Sequence, residues 1–390
     1  MVVREILDGI FSVGAVHWDR RLFDELIPLP DGTSYNAYVV RGKDKIALID
    51  TVDPSKKEEL LKNLDELGLR IDYIISHHAE QDHSGAIPDV LEKYPEAKVV
   101  TNEKCKDMLI SLLDVDESKF KVINNGETLP LGGRTLKFLF TPWVHWPETM
   151  VTYLQEDKIL FTCDLFGSHL ATSSLFADEN VLEPAKRYYA EIMMPFRSNI
   201  KKHMEIISQL DVRIIAPSHG PIYRKPEIIM NAYREWISDK VKMEVVLPYV
   251  SMHGSTEKMV SFFIDSLIKY NVTVKPFNLS KSDVGELAMA LVDAGAVVIG
   301  SPTMLVGLHP LALYAVYLIN ILRPKTRIVS LIGSYGWGGR SVEQLKDILT
   351  NLKAEFLGPV LVKGLPREKD FEALDKLAKD IAENLRSYQE

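Results

Sequence analysis

Cysteine is nearly absent from this 390-residue chain, which has only Cys105 and Cys163, far apart in sequence. A disulfide framework is therefore not expected. With no C-x-x-C pair, the chain has no means of holding a rubredoxin-type iron or an iron–sulfur cluster. An excess of positive charge is lacking too. There are 46 Lys and Arg against 54 Asp and Glu, a formal net charge of -8, and no dense basic patch to offset it. Such a chain repels a phosphate backbone, so nucleic acid is not an expected partner. No apolar run approaches the roughly 20 residues that span a bilayer. The segment from Met1 to Phe11 carries Glu5 and Asp8 where a signal peptide would be basic, which predicts a cytoplasmic protein without membrane attachment.

Core-forming residues are plentiful. The hydrophobic fraction of 46% and charged fraction of 26% are those of a soluble globular chain. At roughly 150 residues per domain the length predicts two or three domains, and two is the working number. Up to about residue 242, short apolar runs alternate with turn residues, as in the expected strands Tyr35 to Val40 and Lys45 to Asp50. Charged segments of helical spacing lie between them, such as Pro54 to Leu67, with Leu60, Leu61, Leu64 and Leu67 on one face. From Met243 the texture changes to unalternating apolar strands separated by amphipathic helices. The expected strands are Met243 to Val250, Val272 to Phe277, Ala296 to Ile299, Arg327 to Ile332 and Phe356 to Val362, closed by a helix from Glu368 to Leu385. Five such strands predict a doubly wound parallel sheet. The boundaries are thus 1–242 for a mixed α/β domain with antiparallel hairpins and 243–390 for the doubly wound domain.

Ile71 to Ser76 reads as a buried strand, and it runs directly into His77-His78-Ala79-Glu80-Gln81-Asp82-His83. One histidine at a strand end is ordinarily a turn residue or a satisfied polar group, but this loop concentrates His78, Glu80, Asp82 and His83. His145, Asp164 and His219 each follow a further expected strand, so all these residues should reach one edge of the sheets. A pair of metal ions needs such an inventory: nitrogen ligands for both, carboxylates to offset charge, and one carboxylate to bridge, for which Asp164 is the choice.

The pattern His78-x-Glu80-x-Asp82-His83, followed by His145, Asp164 and His219, resembles that of the metallo-β-lactamase superfamily, with glutamate where the zinc hydrolases have a second histidine. That variant resembles the flavodiiron protein family. The resemblance implies one iron held by His78, Glu80 and His145, another by Asp82, His83 and His219, and Asp164 bridging. It leaves open whether His83 ligates or is replaced by water, and it gives His77 no ligand position. An added carboxylate makes the site harder and more negative, which favours iron over zinc. The resemblance further implies that Tyr188 or Tyr189 lines a substrate pocket.

The first strand of the second domain ends in Ser251, Met252, His253, Gly254, Ser255 and Thr256 before a helix. Glycine allows close approach of an anion, hydroxyls donate to it, and the helix offers free N–H groups at its positive end. Without a Walker lysine, ATP is not the expected ligand. Two further loops follow strand ends: Ser301 with Pro302, Thr303, Met304 and Leu305, and Ser334 with Tyr335, Gly336, Trp337, Gly338 and Gly339. Glycines beside Tyr335 and Trp337 suit a flat ring system at the carboxyl ends of a doubly wound sheet. The combination resembles flavodoxin, and FMN is the expected cofactor.

The fold expected is an αββα metallo-β-lactamase-like sandwich followed by a flavodoxin-like sheet, which is the domain order of flavodiiron proteins. The resemblance implies an FMN- and diiron-dependent reductase of dioxygen to water, of nitric oxide to nitrous oxide, or of both. It also implies an external electron donor such as rubredoxin, and a head-to-tail homodimer or a tetramer built from it. Two rival readings are a binuclear zinc hydrolase fused to a flavodoxin domain, and a non-enzymatic electron carrier with a vestigial metal site.

Overall fold

The computed structural model describes residues 2–389. The chain divides into two compact units, Met1–Tyr189 with Phe196–Ile237, and Ala190–Pro195 with Ser238–Glu390. Residues ahead of the second unit's first strand already belong to it. Arg327 Nη2 donates to the Asp239 carbonyl and Gln389 Nε2 to that of Val241.

In the first unit a seven-stranded sheet runs in the order Arg4–Leu7, Ile10–Ser12, Tyr38–Arg41, Ile46–Ile49, Tyr73–Ile75, Lys98–Thr101, Phe120–Val122. A second sheet of five strands runs Thr128–Pro130, Thr135–Phe140, Met150–Leu154, Ile159–Phe161, Ile214–Ala216. The period-two pleat sorts the side chains of the first sheet. Ala47, Ile49, Ile75 and Val100 meet Leu136, Phe138, Met150 and Phe161 of the other sheet, whereas Leu48, Ile74 and Val99 face outward onto Leu60, Leu64, Val90 and Leu109 of the covering helices. Each fully buried side chain of this kind contributes roughly 1.5–3 kcal/mol. The result is the expected αββα layering.

Strand direction decides where the functional loops emerge. Thr135–Phe140 and Ile159–Phe161 are both antiparallel to Met150–Leu154, so they run the same way, and Ile214–Ala216 is parallel to Ile159–Phe161. Their carboxyl ends therefore lie along one edge of that sheet.

Two expected elements of this unit are interrupted. The strand expected over Tyr35 to Val40 is two strands, Thr33–Tyr35 and Tyr38–Arg41, in different sheets. Asn36 breaks it because its groups are used elsewhere: its backbone N–H donates to the Ser218 carbonyl, and Nδ2 donates to the carbonyls of Pro217 and Gly220. The segment Pro54 to Leu67 begins as a 3-10 turn, Pro54–Lys56, capped by Asp53, before the α-helix Lys57–Leu67.

In the second unit Thr273–Asn278, Lys242–Tyr249, Ala294–Gly300 and Ile328–Tyr335 form a parallel sheet in that spatial order. The fifth position, expected as one strand from Phe356 to Val362, holds two short pieces, Glu355–Phe356 and Val360–Lys363, both paired with Ile328–Tyr335. Gly358 and Pro359 separate them, and proline has no N–H to give the ladder. Ser330 Oγ holds the bulge by donating to the Leu357 carbonyl. Helices Ser255–Lys269 and Glu368–Ser387 pack Phe263, Leu267, Leu377 and Ile381 on one face of the sheet. Val284–Leu291 and Pro310–Leu322 contact the central strands outside that cluster, which gives the doubly wound, flavodoxin-like arrangement.

Candidate functional site

The seven sequence-predicted ligands converge. His78, Glu80, His145 and Asp164 form one group and Asp82, His83 and His219 a second, with the donor atoms of each group within 4.8 Å of one another. Asp164 joins the two. Its Oδ2 lies 2.8 Å from His78 Nε2 and 3.4 Å from His145 Nε2, while Oδ1 lies 2.9 Å from His83 Nε2 and 3.3 Å from His219 Nε2. Glu80 Oε2 approaches His145 Nε2 at 3.0 Å, and Asp82 Oδ2 approaches His219 Nε2 at 3.2 Å.

These short distances are mostly not hydrogen bonds. His78 Nε2, His83 Nε2, both Asp82 carboxylate oxygens and Asp164 Oδ1 are buried without a hydrogen-bond partner. Buried polar atoms are normally paired, so a cluster that converges unpaired fits a set of donors aimed at shared cations. Three carboxylates and four imidazoles match a hard, carboxylate-rich pair of metal ions.

Neighbouring groups fix how the ligands present themselves. His219 Nδ1 lies 2.7 Å from the Ser34 carbonyl, which only accepts, so the proton sits on Nδ1 and Nε2 faces the cluster. Gly220, at φ +79°, makes the turn that lets its N–H donate to Ser34 Oγ, and a side chain there would collide with Ser168. His77 is engaged at both ring nitrogens, with Nδ1 2.6 Å from Asp50 Oδ2 and Nε2 2.8 Å from Thr152 Oγ1. It braces the strand end rather than joining either group.

Burial disfavours charge on the rings of His145 and His219, but the carboxylates outweigh it. Asp164 with Glu80 raises His145 to about 9, and Asp164 with Asp82 raises His219 to about 10. Burial likewise works against an ionised Asp82, yet His83 and His219 hold it low, at about 2.

The two candidate tyrosines separate. Tyr188 is buried with its ring 5.6 Å from that of His219 and 4.7 Å from that of His169. The Tyr189 ring packs at 5.4 Å on Tyr233 and 5.3 Å on Trp236. Sequence reasoning missed Asp50, Glu148 and His169. Glu148 and His169 lie three and five residues beyond the candidate ligands His145 and Asp164, and Asp50 follows the strand Ile46–Ile49, so proximity to a candidate ligand or strand end was the available signal.

In the second unit the three predicted loops meet. Ser251 Oγ accepts from the N–H groups of Gly254 and Glu257, and Thr256 Oγ1 lies 3.2 Å from Ser334 Oγ. Thr303 approaches the third loop, since a Cβ on Gly339 would press on its side chain. Met252, Leu305 and Trp337 are exposed around these loops. Gly254, at φ +85°, begins helix Ser255–Lys269, and a Cβ there, or on Gly336 or Gly338, would meet nothing within 4 Å. An open, glycine-lined rim beside the free N–H groups of a helix start fits a phosphate and a flat ring.

Residues 33–220 match a family model described as ODP family beta lactamase. The chain is 37% identical over 390 residues to a nitric oxide reductase of Moorella thermoacetica, with 97% of each chain covered. Among solved structures it resembles a rubredoxin oxygen:oxidoreductase from Desulfovibrio gigas, with TM-score 0.95, 33% identity and 99% of each chain covered. It also resembles the flavodiiron protein of Giardia intestinalis, with TM-score 0.92 and 28% identity, covering all of this chain and 98% of that one.

Proposed function

The chain belongs to the flavodiiron protein family, and from that premise we propose that it reduces dioxygen to water, nitric oxide to nitrous oxide, or both. FMN held at the three loops of residues 243–390 and two irons held within residues 1–242 together supply up to four electrons, the number that converts one dioxygen into two waters. The observation that carries this reading is the sharing of Asp164 between two groups of ligand atoms, in which His78 Nε2, His83 Nε2, both Asp82 oxygens and Asp164 Oδ1 are buried and unpaired. In this assignment His78, Glu80 and His145 would hold one iron and Asp82, His83 and His219 the other, with the Asp164 carboxylate available to both. Both Asp82 and Asp164 are kept ionised by the surrounding histidines, so each is ready to ligate.

Tyr188 supplies a proton donor beside the metals. Burial and the nearby Asp164 and Asp82 carboxylates push its phenol well above its ordinary value, so it stays protonated and acts as an O–H donor toward the substrate. Tyr188→Phe should lower turnover about tenfold or more while two irons per chain remain bound. Gas-electrode rates alongside iron analysis check this, and wild-type turnover would remove the role.

At the flavin loops the Ser251 hydroxyl shapes the turn, and the first amides of helix Ser255–Lys269 bind the phosphate. Gly254→Ala puts a methyl group into this rim and strains a left-handed backbone by roughly 1–2 kcal/mol. FMN affinity in a flavin-fluorescence titration should drop at least about tenfold.

The electron donor proposed is a separate protein of the rubredoxin type, because two buried cysteines are too few for a rubredoxin-type four-cysteine iron site. The assembly proposed is a head-to-tail homodimer, with further pairing to a tetramer, in which the FMN of one subunit serves the metals of its partner. A fully active, strictly monomeric species in sedimentation would count against it. Among the described residues no helix is long and apolar enough to cross a membrane, and a cytoplasmic location is proposed.

The deciding experiment quantifies metals and flavin in the purified protein, then mixes the anaerobically reduced form separately with dioxygen and nitric oxide. Two irons, one FMN and rapid consumption of either gas are expected. Zinc at the site with hydrolase activity would overturn the reading.

A further inference from the structure

We infer that Glu148 is a positioning residue for the metal centre: its buried carboxylate holds the proton of His78 on Nδ1 and so leaves Nε2 free to ligate. This rests on the diiron reading above.

Glu148 is 3% exposed, and within the first unit it faces no lysine or arginine at ion-pair distance among the described residues. Oε1 accepts from the Ala79 N–H at 3.0 Å and lies 3.7 Å from His78 Nδ1, while Oε2 is buried with no partner. The Glu148 carbonyl is tied separately, by Asn102 Nδ2 at 2.6 Å, so its backbone is anchored whatever its side chain does. A buried carboxylate with one satisfied oxygen is costly, and the His78 imidazole is the one group that can carry a positive charge within ion-pair distance of it among the described residues.

Two neighbours of His78 Nδ1 make opposite demands. The Glu80 N–H, at 3.3 Å, donates toward Nδ1 and favours a ring whose proton is on Nε2. That proton would point at Asp164 Oδ2, 2.8 Å away, and block ligation. The Glu148 carboxylate makes the contrary demand, a proton on Nδ1. A full negative charge buried beside the ring outweighs the dipole of a single neutral amide, because the low local dielectric strengthens its field. At 3.7 Å the contact is longer than a formed hydrogen bond, so Glu148 acts here by its field and by confining the ring. His219 has no such conflict, because the Ser34 carbonyl fixes its Nδ1 proton outright. The presentation of the His78 ring thus depends on a charged side chain where that of His219 does not, and Glu148 sits only three residues beyond His145, on the same loop.

The test uses full-length, FMN-loaded wild type, Glu148→Gln and Glu148→Asp. Anaerobic ferrous titration, iron per chain and the EPR-monitored midpoint potential of the mixed-valence pair are measured, with thermal melting of the metal-free proteins as the folding control. Glutamine keeps the shape but offers no charge and can donate to Nδ1. Iron affinity at one of the two positions should fall about 10–100-fold and the potential should shift. Aspartate keeps the charge on a shorter arm and should weaken binding several-fold. Wild-type affinity and potential in either folded variant would overturn the inference. If Gln does not fold, Asp decides alone. Wild type failing to take up two irons would instead sink the diiron reading.

Discussion

Asp164→Asn is expected to strip iron from both positions and to cut reduction of dioxygen and nitric oxide by more than about a hundredfold. Loss of a mere supporting partner of a ligand already costs 10–100-fold. Asp164 is central to both groups, with its two oxygens divided between His78 and His145 on one side and His83 and His219 on the other. Asparagine preserves the volume but replaces one oxygen by an N–H donor, which must then face a histidine nitrogen needed for a metal. It also removes the negative charge that offsets two cations in a site buried from water. Glu80 and Asp82 cannot substitute, because each lies with its own group. FMN content should be unchanged, which separates this effect from general unfolding. Two irons per chain and wild-type rates in Asp164→Asn would remove Asp164 from the bridging position.

The convergence of the candidate ligands was legible in the sequence because the segments that carry them follow strands: Tyr73–Ile75 before His78, Thr135–Phe140 before His145, Ile159–Phe161 before Asp164 and Ile214–Ala216 before His219. Apolar runs ending in polar, metal-ligating residue types mark a sheet edge, and shared strand direction brings those edges together. What stayed hidden depends on contacts remote in sequence. Nothing near His77 announces that Asp50 and Thr152 will occupy its two nitrogens. Tyr188 and Tyr189 are adjacent, and one residue of helix turns the side chain by about 100°, so only packing decides which meets His219 and which meets Trp236. The break at Asn36 is of the same kind, since its purpose is to hold the loop at Pro217 and Gly220. The break at Gly358 and Pro359 differs, because proline announces it in the sequence, yet the apolar residues on either side read as one strand.

Removing the metals should reverse the way stability depends on pH. In the metal-free protein His145 and His219 are raised to about 9 and about 10 against ordinary values of 6.5. Groups raised on folding bind protons more tightly in the native state. The stability they contribute is therefore complete below about pH 6.5 and is lost as pH climbs through 9 and 10. Melting of the metal-free protein should drop by roughly 5–10 °C between pH 6.5 and 9.5, as expected for the loss of a few kcal/mol in a unit of this size. Iron makes the opposite demand, since each histidine must give up a proton before its Nε2 can ligate. Because His78 is likewise raised well above its ordinary value despite its burial, ferrous binding at pH 7 should then release about three protons, one each from His78, His145 and His219, and affinity should climb with pH until the histidines are deprotonated. Because the iron-loaded form gains stability with its metal affinity, its melting temperature should rise between pH 6 and 8, where that of the metal-free form begins to fall. Calorimetry of ferrous binding in two buffers of different ionisation enthalpy counts the protons, and paired melting curves read the crossing. A metal-free protein that is more stable at pH 9.5 than at 6.5 would show that the carboxylates around Asp164 do not hold these histidines charged.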